Sequence, residues 1–174
     1  GVANVIPEGF GGSNNAVSPT FWIGTNPFDA FFYTYTVWIN TTEALNPGDF
    51  MGMGFTTSSS TTDPFNSADH FGWMSQLAPS DPGSNQAWAG PGTTNGGAFT
   101  VGASNRGLQA YTVVMSRTSA SASQTLLSFY NNGVPVGGPT ILEAVNPTTL
   151  NRITIGQLDS AVGTVQHLSL LQGN

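Results

Sequence analysis

Apolar and polar residues alternate with a period of two along much of the chain, which is typical of β-strands. The clearest alternation covers residues 32–40, where one face carries Tyr33, Tyr35, Val37 and Ile39. The opposite face carries Phe32, Thr34, Thr36 and Trp38. Because both faces are partly apolar, the pattern predicts a central strand with Trp38 in the core. Apolar spacing typical of helices never lasts beyond one or two turns, so we expect little helix.

Further strands are predicted at the roughly 8–12-residue spacing of antiparallel sandwiches and jelly rolls. They cover residues 50–57, 71–77, 98–102, 108–117, 126–130, 134–136, 152–156 and 164–171. In the first of these, Gly52 and Gly54 occupy the face opposite Met51, Met53 and Phe55. Glycine at such positions indicates a curved sheet or close approach by another backbone. The chain therefore reads as an all-β, two-sheet antiparallel sandwich of about ten or more strands.

A hairpin is the strongest local signal. Asn132-Gly133 separates two apolar runs, 126–130 and 134–136. Both central residues of a type I′ turn need a positive φ, which Asn and Gly adopt most readily. We therefore expect a two-residue turn at this point.

The order of motifs around this hairpin resembles a known family. Residues 130–133 read Tyr-x-Asn-Gly, and they are followed by Ile155-Gly156 and a last strand. Upstream, residues 36–39 (Thr-Val-Trp-Ile) and residues 110–117 occupy the places of two further family strands. The chain thus resembles the laminin-G-like domains of the concanavalin A-like lectin/glucanase superfamily, which implies a jelly-roll sandwich. That fold serves lectins, glycan hydrolases, adhesion modules and coat-like subunits, so it implies no single function.

The length of 174 residues favours one domain over the whole chain, 1–174. Residues 1–19 lie outside the resemblance, and they are interpreted either as an edge strand or as an arm that pairs with a neighbouring subunit. The stretch 58–97 is longer and richer in Pro and Gly than in a minimal family member. A long loop on a rigid sandwich is where binding usually occurs.

Composition narrows the classes of partner. Charged residues make up only 7% of the chain, lysine is absent, and the formal net charge is −6. Because phosphate binding needs basic clusters, nucleic acid is not expected as a partner. No apolar run approaches the roughly 18 residues of a membrane span. The Gly-, Ser-, Thr- and Asn-rich composition and the absence of an initiator Met favour an extracellular or cell-surface protein whose leader has been removed. Asn40-Thr41-Thr42 is a candidate glycosylation site.

Catalytic patterns are not apparent in the sequence, so we expect no enzyme activity. Hydrolases of this superfamily use paired carboxylates on one strand, whereas no two of the nine carboxylates here are two residues apart. There is no cysteine and no Gly-x-Ser-x-Gly motif. His167 alternates with Val165 and Leu171, which indicates a packed or surface position in the last strand. With two histidines and no thiol, zinc is not expected.

Calcium is the one metal that the sequence suggests. Asp63, Asn66 and Asp69 fall within seven residues, and Asp81 follows, so together they could supply hard oxygen ligands. The alternative is that these side chains initiate turns through hydrogen bonds to the backbone. Laminin-G-like domains often bind calcium at a loop rim, which the resemblance implies as a possibility here. No other cofactor is expected.

Aromatic residues near the 58–97 stretch are candidates for binding a glycan. Trp73 and Trp88 flank this region, and sugar rings stack on exposed tryptophan. His70 and Asn85 lie beside them and could hold sugar hydroxyls. The alternative is that the tryptophan rings fill the sandwich core.

Two functions follow from these features. The main hypothesis is a non-enzymatic, self-assembling subunit of an extracellular surface, matrix or filament, forming a homo-oligomer or polymer. Its basis is the scarcity of charge, since sandwiches normally use lysine and other charges to protect sheet edges from pairing. The alternative is a carbohydrate-binding lectin or adhesin module, based on the resemblance and on the Trp-, Asn- and Asp-rich stretch.

Overall fold

The computed structural model describes residues 15–18, 31–41, 50–57, 59, 70–76, 85–88, 98–101, 107–117, 125–136, 140–142, 151–158 and 163–173. In chain order the strands are β1 (Asn15–Val17), β2 (Phe31–Thr41), β3 (Phe50–Thr56), β4 (His70–Gln76), β5 (Asn85–Trp88), β6 (Ala98–Val101), β7 (Gly107–Arg117), β8 (Thr125–Asn131), β9 (Val134–Pro135), β10 (Thr140–Leu142), β11 (Arg152–Leu158) and β12 (Gly163–Gly173).

These strands form two main sheets in which every pair is antiparallel. One is four-stranded with the order β1-β11-β3-β4. The other is six-stranded with the order β10-β8-β7-β2-β12, and β9 pairs with β8. Strands β5 and β6 form a separate pair. The expectation of an all-β antiparallel sandwich is confirmed.

Strand positions agree with the alternation of the sequence to within one or two residues, and β2 is a central strand as expected. One difference is β5. The sequence favoured a loop around Asn85 and Trp88, whereas these residues begin and end a short strand that pairs with β6. Turn-forming residues on both sides of this tetrapeptide, Asn-Gln-Ala-Trp, obscured the strand in the sequence.

The core lies between the two main sheets. The six-stranded sheet contributes Tyr33, Tyr35, Val37, Ile39, Tyr111, Val113, Met115, Leu127, Phe129 and Leu168, and the four-stranded sheet contributes Met53, Phe55, Phe71, Trp73, Ile153 and Ile155. Aromatic edges meet aromatic faces across the gap: the ring centroids of Trp73 lie 5.4 Å from Tyr111 and 5.7 Å from Phe129. Such edge-to-face pairs add to the free energy gained by burial.

Two side-chain hydrogen bonds cross the gap in opposite directions. The hydroxyl of Tyr35 donates to the backbone carbonyl of Thr154 over 3.2 Å. The indole Nε1 of Trp73 donates to the backbone carbonyl of Thr112 over 2.8 Å. Each sheet therefore sends one polar aromatic ring to the backbone of the other, so that no buried donor of these two rings is left without an acceptor.

The hairpin between β8 and β9 has the predicted turn. Asn132 and Gly133 have φ values of 50° and 78°. Asn132 also fixes the turn to β7: its backbone N–H donates to the carbonyl of Ala110 over 2.8 Å, and its Oδ1 accepts from the Ala110 N–H over 2.8 Å. Its Nδ2 donates to Oε1 of Gln109 over 2.6 Å. The turn asparagine thereby continues the backbone pairing of β7 beyond the end of β8.

The predicted close approach of backbones at the glycines is confirmed where β3 meets β4. Gly54 and Gly72 are register partners. A Cβ added at Gly72 would clash with the backbone of Met53 and with the Cα of Gly54. Only glycine fits at this position.

Of residues 1–19, the structure describes residues 15–18. Strand β1 pairs with β11 at the edge of the four-stranded sheet. Ser18 extends the contact, since its hydroxyl accepts from the Ile153 N–H over 3.0 Å and its carbonyl accepts from Nη1 of Arg152 over 2.8 Å. The alternatives for residues 1–19, an edge strand or an arm that pairs with a neighbouring subunit, stay open, since residues 1–14 and 19 lie outside the described part of the chain.

The glycine contact gives a first prediction. We expect Gly72→Ala to lower the free energy of unfolding by roughly 2–3 kcal/mol, because the added methyl group forces two paired strands apart. Gly107→Ala is the control. Gly107 has a φ of 84° but open space around its Cβ position, so only the left-handed backbone penalty of about 1–2 kcal/mol is expected there. Urea denaturation of both variants measures the difference, and equal losses would contradict the close approach.

The buried tyrosine gives a second prediction. Burial raises the pKa of Tyr35 because the phenolate would be removed from water. The unfolded phenol ionises near its ordinary pKa of about 10, so this stabilisation is complete below that pH and is lost as pH rises above it. We expect the free energy of unfolding to fall by about 1.4 kcal/mol per pH unit for this group above about pH 10.

Tyr35→Phe tests the point, since it removes the titrating group together with the hydrogen bond to Thr154. At pH 7 the variant should be less stable by about 1 kcal/mol. Between pH 10 and pH 11.5, by contrast, it should lose less stability than the native chain. Denaturation curves that fall in parallel over this pH range would show that Tyr35 ionises as freely in the folded state as in the unfolded chain.

Candidate functional site

The side of the six-stranded sheet that faces away from the core is the outer face. Residues that are paired across β12, β2, β7 and β8 lie side by side on this face and form rows that cross the sheet. The rows are His167, Trp38 and Ala110; Ser169, Thr36, Thr112 and Tyr130; Leu171, Thr34, Val114 and Ser128; and Phe32, Ser116 and Leu126. None of these residues is Asp, Glu, Lys or Arg. The outer face is therefore aromatic and hydroxyl-rich at one end and more apolar at the other.

Trp38 lies on this outer face, so the expectation that it belongs to the core is wrong. Its neighbours Val37 and Ile39 point into the core, and strand alternation places Trp38 on the opposite side. The indole ring is half-buried because it packs against His167, with ring centroids 5.0 Å apart and planes tilted by 51°. An aromatic ring on a partly exposed sheet face, held in place by a second ring, is a preformed contact surface.

A β-bulge places His167 opposite Trp38. The register of β12 against β2 shifts between Val165 and His167, and the intervening Gln166 is exposed. The regular alternation of His167 with Val165 that the sequence suggested does not run through this point. Bulges re-aim side chains in this way, and they are frequent near binding sites.

Small and hydroxyl-bearing residues surround the indole ring. Ala110 is the register partner of Trp38 on β7, so a side chain of a single methyl group lies next to the indole on that side. In the next row, the hydroxyls of Thr36 and Thr112 are hydrogen-bonded over 2.9 Å. Ser169 and Tyr130 end that row, and both are half-buried. We call Trp38, His167, Ala110 and this hydroxyl row the Trp38 platform.

The platform is suited to non-covalent contacts with a ligand. An aromatic ring binds the C–H groups of a ligand, and hydroxyls both donate and accept hydrogen bonds. The platform contains no carboxylate or amine. It therefore suits a neutral ligand that has apolar faces and many hydroxyl groups.

The sequence-predicted site residues are not brought together on this platform. Trp73 is only 1% exposed, and its ring packs on Tyr111 and Phe129. The expectation that Trp73 stacks against a sugar is wrong, because core packing covers the ring and its N–H is already bonded to Thr112.

For the other predicted residues less is defined. His70 begins β4, Asn85 begins β5 and Trp88 ends β5. Their side-chain positions lie outside the described part of the chain, as do the proposed calcium ligands Asp63, Asn66, Asp69 and Asp81. Asn40 is exposed on β2, and its glycosylation stays a prediction.

The described residues contain neither a group of metal ligands nor a membrane-spanning helix. Within those ranges no three His, Cys, Asp or Glu side chains are grouped in a way that could hold a metal ion. No helix with the length and hydropathy of a membrane span occurs there either.

Comparison with known proteins supports the fold. No protein-family model matches the chain, and no curated protein matches it. Among solved structures, it is similar to the metal-free carbohydrate recognition domain of Emp46p, with a TM-score of 0.58 and 11% identity over 92% of this chain and 78% of that one. It is also similar to a protein of unknown function from Shewanella oneidensis MR-1, with a TM-score of 0.51 and 9% identity over 98% of this chain and 76% of that one.

At these identities the likeness shows the fold alone. It agrees with the two-sheet β-sandwich expected from the hairpin and the strand order. The resemblance to the concanavalin A-like superfamily and to its laminin-G-like domains stays a prediction.

Sequence reasoning missed the platform. Trp38 alternates with Thr34 and Thr36, but Phe32 lies on the same face, so alternation alone did not decide which face of β2 is buried. The residues that surround Trp38 come from β7, β8 and β12, and the sequence does not give the register that assembles them.

Proposed function

We propose that this protein binds carbohydrate through the Trp38 platform and releases it unchanged. The observation that carries the proposal is a half-buried tryptophan, braced by His167, on a charge-free outer face. The fold adds support, since the similar Emp46p structure is a carbohydrate recognition domain. That likeness favours carbohydrate binding over the self-assembling subunit that was the main sequence-based hypothesis.

The platform matches the surface of a sugar ring. A pyranose presents axial C–H groups on one face, which pack on an indole ring, and it presents hydroxyls around its rim. Ala110 leaves room beside Trp38 for a ring to lie flat. Thr112, Ser169 and Tyr130 then supply hydroxyls at the rim of that space. Because the platform contains no Asp, Glu, Lys or Arg, we propose neutral glycans rather than sulfated or uronic acid polymers.

Release without cleavage fits the sequence. Glycan hydrolysis needs an acid and a second carboxylate on opposite sides of one bond, and the chain has no closely spaced carboxylate pair. We therefore propose a non-enzymatic binder that acts outside the cell. The calcium site at Asp63, Asn66, Asp69 and Asp81 stays a prediction, and repeating the binding measurements with a chelator tests whether the metal contributes.

The binding prediction uses two aromatic residues of the same strand. We expect Trp38→Ala to weaken binding of a neutral oligosaccharide about two- to tenfold, since loss of a stacked ring costs about 0.5–1.5 kcal/mol and each 1.4 kcal/mol is a factor of ten. Phe32→Ala is the matched control. It removes an exposed ring from the same face of β2, six residues or about 20 Å away. Its affinity should equal that of the native chain.

A third variant fills the platform without removing a binding group. Ala110→Gln places a longer side chain beside the indole ring, so it should also weaken binding while thermal unfolding stays nearly unchanged. A neutral glycan array identifies the ligand, and isothermal titration calorimetry measures each affinity. Binding that is lost equally in Phe32→Ala and Trp38→Ala would argue for a different location. Silence of the native chain on the array would refute the proposed function.

A further inference from the structure

Strand β12 forms one end of the six-stranded sheet. It spans Gly163–Gly173, and among the described strands it pairs only with β2. The strand contains no Asp, Glu, Lys or Arg and no proline. An open edge without charges or proline is a template for pairing with another strand.

The register shows which residues of β2 point toward β12. Ala110 exchanges its backbone N–H and C=O with Asn132, on the side of β7 away from β2. Its register partner Trp38 must then direct its own backbone groups away from β7, toward β12. Alternation along β2 gives the same direction to Thr36 and Thr34.

The same alternation continues into β12. His167, Ser169 and Leu171 are the partners of Trp38, Thr36 and Thr34, so their backbone groups point inward to β2. The backbone groups that point to the open edge therefore belong to Leu168, Leu170 and Gln172. These three residues are evenly spaced, and Leu170 is their centre.

Within the described part of the chain, a structural feature that hinders pairing protects only one end of this edge. The bulge at Gln166 interrupts the regular geometry before Leu168. From Leu168 to Gln172 the register with β2 is regular. Leu171 lies within this segment and is 61% exposed, although a solvent-facing edge strand commonly carries a charged residue at such a position.

We propose that a second copy of this chain pairs with β12 antiparallel, with a twofold axis at Leu170. In this register Leu170 pairs with Leu170 of the second copy, and Leu168 pairs with Gln172 of the second copy. The backbone N–H and C=O groups that point outward are placed symmetrically about Leu170, so the groups of one strand can form hydrogen bonds with those of the other. This self-complementarity is what a twofold interface requires, and it favours a second copy over an unrelated peptide.

Side chains near the axis fit this arrangement. Leu170 is half-buried against the core, and twofold pairing places the two copies of Leu170 against each other on the core side of the joined sheets. No charged side chain of β12 has to lose its hydration at the seam. Attraction between the copies therefore needs no compensation for buried charge, despite the net charge of −6 on each chain.

The seam is short. Five residues, from Leu168 to Gln172, span about 17 Å at 3.3 Å per residue. Such a seam buries less than the roughly 800 Å² per partner of a standard stable interface. We therefore expect a reversible dimer whose population rises with protein concentration.

Proline at the edge gives the test. Gln172→Pro removes a backbone N–H that points away from β2, and the ring blocks the approach of the second strand, while every bond to β2 is kept. Gln172 pairs with Leu168 of the second copy, and Leu168 pairs with Gln172 of the second copy. One substitution at position 172 therefore affects two of the three pairs. Gln172→Ala is the matched control, since it shortens the side chain but keeps the N–H.

Sedimentation velocity over a wide concentration range measures the outcome. The native chain and Gln172→Ala should shift from monomer toward dimer as concentration rises, whereas Gln172→Pro should stay monomeric with an unchanged far-ultraviolet circular dichroism spectrum. A native chain that stays monomeric throughout, or association that persists in Gln172→Pro, would overturn the proposal.

Amide hydrogen exchange on the native chain tests the register even if Gln172→Pro fails to fold. The amides of Leu168, Leu170 and Gln172 should exchange more slowly at high concentration. The amides of Ser169 and Leu171, which are bonded within the sheet, should change little. Concentration-dependent protection of any other strand, or none at all, would overturn the proposed pairing. These measurements use no glycan, so their result is independent of the proposed carbohydrate binding.

Discussion

The two hydrogen bonds that cross the sandwich, from Tyr35 to Thr154 and from Trp73 to Thr112, are the constraint on which the rest of the structure depends. Apolar contacts alone would let two twisted sheets slide over each other, because dispersion and burial have no preferred direction. A buried donor that reaches one particular carbonyl does have a direction. The two bonds join different pairs of strands, β2 to β11 and β4 to β7, so sliding of the sheets would stretch them. They fix how the sheets lie on each other.

The packing of the two sheets also determines which side chains of β2 lie outside the core. Once Tyr33, Tyr35, Val37 and Ile39 occupy the core side of β2, strand geometry leaves Trp38 on the other face. A large indole ring in that position needs cover, which His167 supplies only in part. The bulge at Gln166 brings His167 into place, and the same bulge ends the regular part of the β12 edge. The platform and the open edge are thus two consequences of how one strand, β12, is added to β2.

The sequence predicted the fold well because the relevant signals are local. Period-two alternation located β2, β7 and β8, and Asn132-Gly133 fixed the turn that φ values of 50° and 78° confirm. The site was not predictable in the same way. Alternation says that Trp38 and Val37 lie on opposite faces, but both faces of β2 are partly apolar, so the pattern does not say which one is buried. That choice depends on the partner sheet.

The burial of Trp73 was likewise not predictable from the sequence. The sequence placed Trp73 in a predicted strand, 71–77, but its position in the turn-rich 58–97 stretch made it a candidate for stacking on a sugar. In the structure Gly72 allows β4 to approach β3 closely, and Trp73 is then carried into the core. Gly72 thus allows the strands to pack closely, and it does not leave Trp73 accessible to a ligand. The distinction rests on register between strands that are distant in sequence, which composition and spacing do not encode.

The edge and the platform together bear on how such a protein would hold a polymer. In a dimer centred on Leu170, each Trp38 lies three residues along the strand from the axis and about one and a half strand spacings to the side. Spacings of about 3.3 Å and 4.8 Å then place the two indole rings roughly 25 Å apart on the same side of the joined sheet. A weak contact with one sugar becomes a strong one when a single chain spans both rings, because the second contact forms at high effective concentration. A shallow, uncharged platform gains most from this arrangement, since it has no metal ion or buried charge to raise the affinity of a single contact. Self-association and carbohydrate binding, set against each other by the sequence alone, are compatible in this geometry.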